Sequence, residues 1–66
     1  MYHANVNTRD SKGFTPLMIA ALHGYLKMVQ LLLQNHADPT HANDAQKRAL
    51  DLAKTSEVRE AIEQYL

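Results

Sequence analysis

The sequence predicts an all-α repeat fold, built from helix pairs that are separated by short turns. The first observation is that the chain matches itself without a gap when it is shifted by 33 residues. The aligned pairs include Leu17 with Leu50, Ala20 with Ala53, Val29 with Ile62 and Asp10 with Asn43. The second is the stretch "DSKGFTPLMIAALHGYLKMVQLLL", which has the order of a turn, a helix that starts at proline, a glycine stop and a second apolar helix. The period divides the single 1–66 domain into the tail of one repeat (1–9), one full repeat (10–42) and a degenerate C-terminal cap repeat (43–66).

The first turn and helix have clear local signals. Residues 10–13, "DSKG", have turn chemistry, and Gly13 is free to take a positive φ. Thr15 is suited to the N-cap, and Pro16 to the first helical position, where its missing N–H costs nothing. The sequence therefore predicts a helix that begins just after Thr15.

The remaining helices follow from stop signals and spacing. Gly24 is placed to end the first helix as a left-handed residue. The apolar residues Leu26, Val29 and Leu33 then recur at helical spacing. In the last repeat, "KRALDLAK" and "SEVREAIEQYL" predict the matching helix pair, with Ser56 as the N-cap of the second helix.

The stretch from Gly13 to Asp38, "GFTPLMIAALHGYLKMVQLLLQNHAD", resembles the ankyrin repeat, because its "TPLMIA" matches the signature T-P-L-H-x-A. The resemblance implies a hairpin finger and two antiparallel helices per repeat, stacked into an α-solenoid. Two residues depart from the family pattern. Met18 stands where the family has histidine, and His36 stands where glycine is usual. A left-handed His36 would cost roughly 1–2 kcal/mol.

Composition and charge exclude several classes of function. The chain has no cysteine, and its seven basic and seven acidic residues balance, which argues against a dedicated nucleic-acid binder. The polar start "MYHANVNTRD" lacks the apolar core of a signal peptide, and no apolar run reaches the length of a membrane span. We therefore expect an intracellular protein, cytoplasmic or nuclear, that binds neither nucleic acid nor membrane.

Neither a metal site nor an active site is predicted. Four histidines are present, but His3 and His36 are repeat equivalents, which the fold would stack one repeat apart, and a pair of His36 with His41 would lie at the surface. The sequence has no nucleophile with a plausible base, no glycine-rich phosphate loop and no H-E-x-x-H motif. We expect a non-enzymatic protein without cofactor or metal.

The resemblance implies a binding surface for another protein or peptide, since in the family the finger tips and the inner face of the first helix line a concave groove. The matching residues are Arg9, Asp10, Ser11, Lys12 and Phe14 on the finger and Met18, Leu22 and His23 on the first helix. For Phe14, two interpretations stay open: an exposed binding anchor, or a side chain folded down onto the neighbouring finger. Leu22 has the same ambiguity, because an apolar residue on the first helix can also belong to the core.

The two ends of the repeat array differ. In the 33-residue register, Ala21 aligns with Lys54, Leu26 with Arg59 and Leu31 with Gln64. This exchange of apolar for polar residues indicates that the last repeat tolerates water on its outer side. No such exchange protects the N-terminal side of the full repeat. We therefore expect that side to pair with preceding ankyrin repeats of a parent chain or, alternatively, to self-associate into a homo-oligomer. The residues predicted for self-association are Leu17, Ala21 and Leu32.

Overall fold

The computed structural model describes residues 6–66 and shows two stacked layers of helices. The helices are α1 (Pro16–His23), α2 (Leu26–Gln34), α3 (Ala49–Leu52) and α4 (Ser56–Glu63). Helix α1 packs on α2 and α3, α2 packs on α4, and α3 packs on α4, so the pair α3–α4 lies against the pair α1–α2. The predicted all-α repeat fold is confirmed. No helix within residues 6–66 has the length and apolarity needed to cross a membrane.

Helix α1 begins and ends at the predicted residues. Thr15 is extended, and its Oγ1 accepts a hydrogen bond from the Met18 N–H at 3.3 Å, while Pro16 occupies the first helical position. Gly24 ends the helix with φ 76°, and the next residue, Tyr25, donates its N–H to the Ala20 carbonyl at 3.0 Å. These bonds use the last carbonyls of α1, which would otherwise be unpaired.

Helix α2 ends in the same geometry without a glycine. His36 has φ 72°, as predicted, and its N–H donates to the Leu33 carbonyl at 3.2 Å. The Ala37 N–H donates to the Leu32 carbonyl at 2.9 Å. Because His36 carries a Cβ, this turn is strained by roughly 1–2 kcal/mol relative to glycine.

The N-cap of α4 differs from the prediction by one residue. Thr55, with φ −126°, is the cap, and its Oγ1 accepts a hydrogen bond from the Val58 N–H at 3.2 Å. The prediction of Ser56 was wrong because two hydroxyl residues stand side by side, and Ser56 is already the first residue of the helix.

The first finger, residues 10–14, is held by one carboxylate. Asp10 Oδ1 accepts hydrogen bonds from the N–H groups of Lys12 and Phe14, both at 2.9 Å. Gly13 takes φ 82°, as predicted, and its N–H donates to the Asp10 carbonyl at 3.0 Å. The finger is therefore rigid at its base although its tip is exposed.

The second finger, residues 43–47, repeats this arrangement. Asn43 Oδ1 accepts from the N–H groups of Ala45 at 2.9 Å and Lys47 at 3.0 Å. Gln46 takes the place of glycine with φ 65°. The two fingers thus have the same hydrogen bonds, which supports the 33-residue register between them. The helix bounds do not repeat in the same way, because α3 has four residues where α1 has eight, and α4 begins three residues earlier than the register with α2 would place it.

The core lies between the pair α1–α2 and the pair α3–α4, and it also extends between α1 and α2. Its buried apolar residues are Leu17, Met18, Ala20, Ala21, Val29, Leu33, Ala37, Ala49, Val58, Ala61 and Ile62. Of the three positions that change to polar residues in the last repeat, Ala21 is buried and Leu26 packs against the core. Leu31, however, is 54% exposed, so its exchange for Gln64 does not mark a covered position.

Candidate protein-interaction surfaces

The tip of the first finger is accessible. Arg9, Asp10, Ser11 and Lys12 are all exposed. Arg9 is also tied to the full repeat, because its Nη2 lies 3.4 Å from His41 Nδ1. This loop therefore offers two cations, one carboxylate and one hydroxyl to a partner, on a backbone that Asp10 keeps in place.

Phe14 does not stand out from the finger. It is half-buried and packs against the core. Of the two open interpretations, the structure favours the one in which this ring folds down, so its main role in the described residues is packing.

Helix α1 presents two predicted contact residues to solvent. Leu22 is 46% exposed, and His23 is exposed as well. His23 Nδ1 lies 2.8 Å from the Ile19 carbonyl, and because a carbonyl only accepts, this nitrogen carries the proton. The His23 ring stacks on Tyr25 with 5.3 Å between ring centroids. These two contacts hold the ring in place, and the other ring nitrogen, Nε2, lies on the side away from the bond to the Ile19 carbonyl.

The prediction that Met18 lies on the groove side was wrong. Only 1% of Met18 is exposed. The reason is that α1 packs on both α2 and α3, so two adjacent positions of this short helix, Leu17 and Met18, are both in the core. Met18 therefore fills volume and offers nothing to a partner.

The full repeat also has an apolar surface, here called the N-terminal face, whose residues differ, except for Leu32, from those predicted for the open N-terminal side. It lies on α1 and α2, opposite the α3–α4 layer, and it surrounds a cavity of about 340 Å³. Its residues are Pro16, Ile19, Ala20, Tyr25, Met28 and Leu32. Three of its large side chains are widely exposed: Ile19 at 41%, Tyr25 at 57% and Met28 at 48%.

The residues predicted for self-association need correction. Leu17 and Ala21 are completely buried, and the Ala21 carbonyl accepts a hydrogen bond from the Lys54 N–H at 3.0 Å. These two residues therefore face the interior and the cap repeat, and the prediction that they line the open side was wrong. Leu32 does belong to the N-terminal face.

The groove between α2 and α4 is polar by comparison. It encloses about 380 Å³. Gln30 and Gln34 line it from α2, and Glu57, Glu60 and Gln64 from the cap. This composition is that of a polar seam between the full repeat and the cap repeat.

A polar cluster surrounds the turn after α2. Asp38 Oδ1 accepts hydrogen bonds from the Thr40 hydroxyl at 2.6 Å and the Thr40 N–H at 2.8 Å. Asp38 Oδ2 lies 3.8 Å from His41 Nε2. The bonds from Thr40, first the hydroxyl and then the N–H, hold the pKa of Asp38 below its ordinary value. Within residues 6–66, no three histidines or carboxylates come together as a metal site.

Comparison with known proteins agrees with this architecture. A family model described as "Ankyrin repeats (many copies)" matches residues 2–53. The chain is 50% identical over 48 residues to the human ankyrin repeat family A protein 2, a match that covers 73% of this chain and 15% of that protein. It is 43% identical over 56 residues to the Caenorhabditis elegans ankyrin repeat and LEM domain-containing protein 1 homolog, covering 85% of this chain and 8% of that protein.

A solved structure shows the same fold. The ankyrin repeat domain of Bcl-3 superimposes with a TM-score of 0.89 at 28% identity, over 91% of this chain and 26% of that domain. The chain thus spans only a small part of the relatives that it matches. The 33-residue register, the paired fingers, the stacked helix pairs and the family match together lead to one conclusion: this chain belongs to the ankyrin repeat family.

Proposed function

We propose that the chain is a non-catalytic interaction module that holds a partner protein or peptide against the first finger and the exposed side of α1. Ankyrin repeats are in general protein-interaction modules without enzymatic activity. The proposed contact residues are Arg9, Asp10, Ser11, Lys12, Leu22 and His23, all of which are exposed. Phe14 is proposed only as packing support for the finger.

The observation that carries the proposal is the exposure of Leu22 beside an ordered histidine. Leu22 is 46% exposed on a helix whose neighbours Leu17, Ala20 and Ala21 are almost fully buried. His23 is fixed by its bond to the Ile19 carbonyl and by its stacking on Tyr25. An exposed leucine next to a fixed polar group offers both apolar area and a directed hydrogen bond, which together suit a peptide partner.

The test is peptide selection followed by substitution. Peptides that bind the chain are selected from a random display library, and their affinities are measured for Leu22→Glu and Lys12→Glu. We expect each variant to lose at least about tenfold in affinity, or roughly 1.4 kcal/mol, with an unchanged melting temperature.

Gln34→Glu is the matched control, because Gln34 is exposed on α2 and lines the seam with the cap. It should leave the affinities unchanged. If the selected peptides lose affinity for Met28→Glu but not for Leu22→Glu, the binding surface is the N-terminal face and the proposed finger and α1 surface is wrong.

A further inference from the structure

His23, the last residue of α1, is held in one orientation by two contacts. Its Nδ1 lies 2.8 Å from the Ile19 carbonyl oxygen, one helical turn earlier. Its ring stacks on Tyr25, with 5.3 Å between the ring centroids and 18° between the ring planes. The carbonyl fixes one edge of the ring and the Tyr25 ring fixes its plane. The opposite edge of the imidazole therefore has a defined direction.

The contact with the carbonyl also decides which nitrogen carries the proton. A carbonyl oxygen only accepts hydrogen bonds, so Nδ1 is the protonated nitrogen of the neutral ring. The other nitrogen, Nε2, is then a hydrogen-bond acceptor. In the other tautomer, the lone pair of Nδ1 would face the Ile19 oxygen with no hydrogen between them, and the bond would be lost. The position of Ile19 thus makes Nε2 of His23 an acceptor.

Nε2 of His23 lies in an exposed and partly apolar place. It has no hydrogen-bond partner among residues 6–66. Leu22, its neighbour in sequence, is 46% exposed, and Ile19, one turn away on the same side of the helix, is 41% exposed. Water satisfies an exposed acceptor in the free chain, but a partner that covers it has to supply a donor.

His41 shows that this arrangement is particular to His23. Nδ1 of His41 lies 3.4 Å from Arg9 Nη2, and since arginine only donates, this nitrogen is the acceptor. Nε2 of His41 lies 3.8 Å from Asp38 Oδ2. Both ring nitrogens of His41 therefore face charged groups of this chain, whereas His23 directs its acceptor outward.

We propose that the partner held by the first finger and α1 donates a backbone N–H to His23 Nε2 and rests an apolar side chain on Leu22. The surface is the one of the proposed function, on which this proposal rests, and the new element is the chemical group that the partner presents. A backbone N–H suits an acceptor that is held in place, because a side chain anchored on Leu22 also positions the peptide groups next to it. A side-chain donor would lose additional rotational freedom on binding.

The same geometry disfavours several groups at this place. A carbonyl or carboxylate oxygen against Nε2 would bring two acceptors together and leave both unpaired, which is costly. Proline has no N–H, so a peptide with proline at the residue that contacts His23 leaves Nε2 without a donor. The surface therefore selects a peptide with a free amide at this residue.

The experiment removes single amide hydrogens from a bound peptide. A peptide is selected whose affinity falls for Leu22→Glu, and each of its amide bonds is replaced in turn by an ester, which removes the N–H. We expect one ester to weaken binding to the parent chain by about fivefold, as for one hydrogen bond. The same ester should not weaken binding to His23→Phe, which keeps a flat ring but lacks Nε2. Mildly alkaline buffer keeps the histidine ring neutral.

Tyr25→Phe is the matched control, because it keeps an aromatic ring in the stack and leaves His23 unchanged. It should show the same loss with this ester as the parent chain. NMR of the ring nitrogens adds a reading that does not depend on a variant. In the free chain, Nδ1 of His23 should carry the proton, and the Nε2 resonance should move when the peptide binds.

The proposal is overturned if Nε2 carries the proton in the free chain, or if no ester weakens binding to the parent chain more than to His23→Phe. It is also overturned if replacing a peptide side chain by alanine, and not an ester, shows this difference, because the donor is then a side chain. In these cases the proposed function stands, since Leu22→Glu still weakens binding. If no selected peptide loses affinity for Leu22→Glu, the proposed function is wrong and the assignment of the donor falls with it.

Discussion

Tyr25 and Val58 lie 33 residues apart, at equivalent positions of the repeat sequence, yet Tyr25 is 57% exposed and Val58 is completely buried. Helices α1 and α2 cover the face on which Val58 lies. Within residues 6–66, no helix covers the N-terminal face. The two residues also differ locally, because Tyr25 precedes α2 as its N-cap residue whereas Val58 lies inside α4. Equivalent residues therefore contribute unequally to the stability of this chain.

A pair of alanine substitutions measures this inequality. Val58→Ala removes two buried methyl groups and leaves a cavity, so the free energy of unfolding should fall by about 2 kcal/mol. Tyr25→Ala should change it by no more than about 0.5 kcal/mol, since it removes mostly exposed area and one exposed ring contact. Urea unfolding of both variants gives the comparison. Equal losses would mean that Tyr25 is covered in solution.

Glycine at the two left-handed residues should stabilise the chain. His36 has φ 72° and Gln46 has φ 65°, and glycine adopts these angles without steric cost. We expect His36→Gly and Gln46→Gly each to raise the free energy of unfolding by on the order of 1 kcal/mol, additively, because they lie in separate turns.

Asn35→Gly is the control for these two changes. Asn35 has φ −99°, and its Nδ2 donates to the Leu31 carbonyl at 2.7 Å, so glycine there relieves no strain and loses a hydrogen bond. This variant should be less stable than the parent. If His36→Gly also destabilises, the turn after α2 is not left-handed in solution.

Two alanine substitutions at glycine should differ in cost because their neighbours differ. A Cβ on Gly13 would lie 3.0 Å from Asp44 Oδ1, 3.1 Å from the Asp44 backbone nitrogen and 3.2 Å from Asn43 Cα. The backbone of the second finger would have to move, and the bond between the Asp44 N–H and the Lys12 carbonyl would lengthen. We expect Gly13→Ala to cost about 2–3 kcal/mol of stability.

Gly24→Ala is the comparison, because it has a similar φ but a more adaptable neighbour. Its Cβ would lie 3.3 Å from Cδ of the exposed Lys54 side chain, which can move aside. The expected cost is about 1–2 kcal/mol, from backbone strain alone. Hydrogen exchange of the Asp44 amide should accelerate in Gly13→Ala only. Acceleration in both variants would show that the finger contact does not depend on Gly13.

The Asp38 carboxylate should titrate below the ordinary aspartate range. Its pKa is lowered because the charged form accepts two hydrogen bonds from Thr40. The sign follows from linkage: the stabilising contribution is fully present above the ordinary aspartate pKa of the unfolded chain and is lost as the pH falls through the lowered pKa of the folded chain. Thr40→Val keeps the N–H but removes the hydroxyl, and the pKa should rise toward the ordinary value in an NMR titration. An unchanged pKa would mean that the hydroxyl bond does not form in solution.

The sequence predicted the parts of the fold that depend on local chemistry. Thr15, Pro16 and Gly24 bound α1 as expected, because capping and backbone angles are decided by the residue and its nearest neighbours. The left-handed His36 followed from the resemblance, because the ankyrin repeat usually has glycine at that position. The bounds of the last two helices were less accurate. Thr55 and not Ser56 is the N-cap of α4, and the predicted helix in "KRALDLAK" is limited to Ala49–Leu52, because boundaries at this level depend on geometry that spacing does not encode.

The faces of the helices could not be predicted from spacing alone. In the eight residues of α1, apolar side chains occur on every side, so Leu17 and Ala21 were assigned to the open side and Met18 to the groove. Burial of these three is decided by contacts with α2 and α3, which the spacing of residues within α1 does not encode. The repeat register did contain a usable signal, since Ile19 and Met28 align with Leu52 and Ala61, the residues by which the cap packs on its neighbour.

The most direct test of the proposed binding surface is the affinity of one selected peptide for the parent chain, for Leu22→Glu and for Met28→Glu, measured side by side. If the first finger and the exposed side of α1 hold the peptide, Leu22→Glu should lose at least about tenfold in affinity, while Met28→Glu keeps the parent value. The account is contradicted if Met28→Glu loses affinity and Leu22→Glu keeps the parent value.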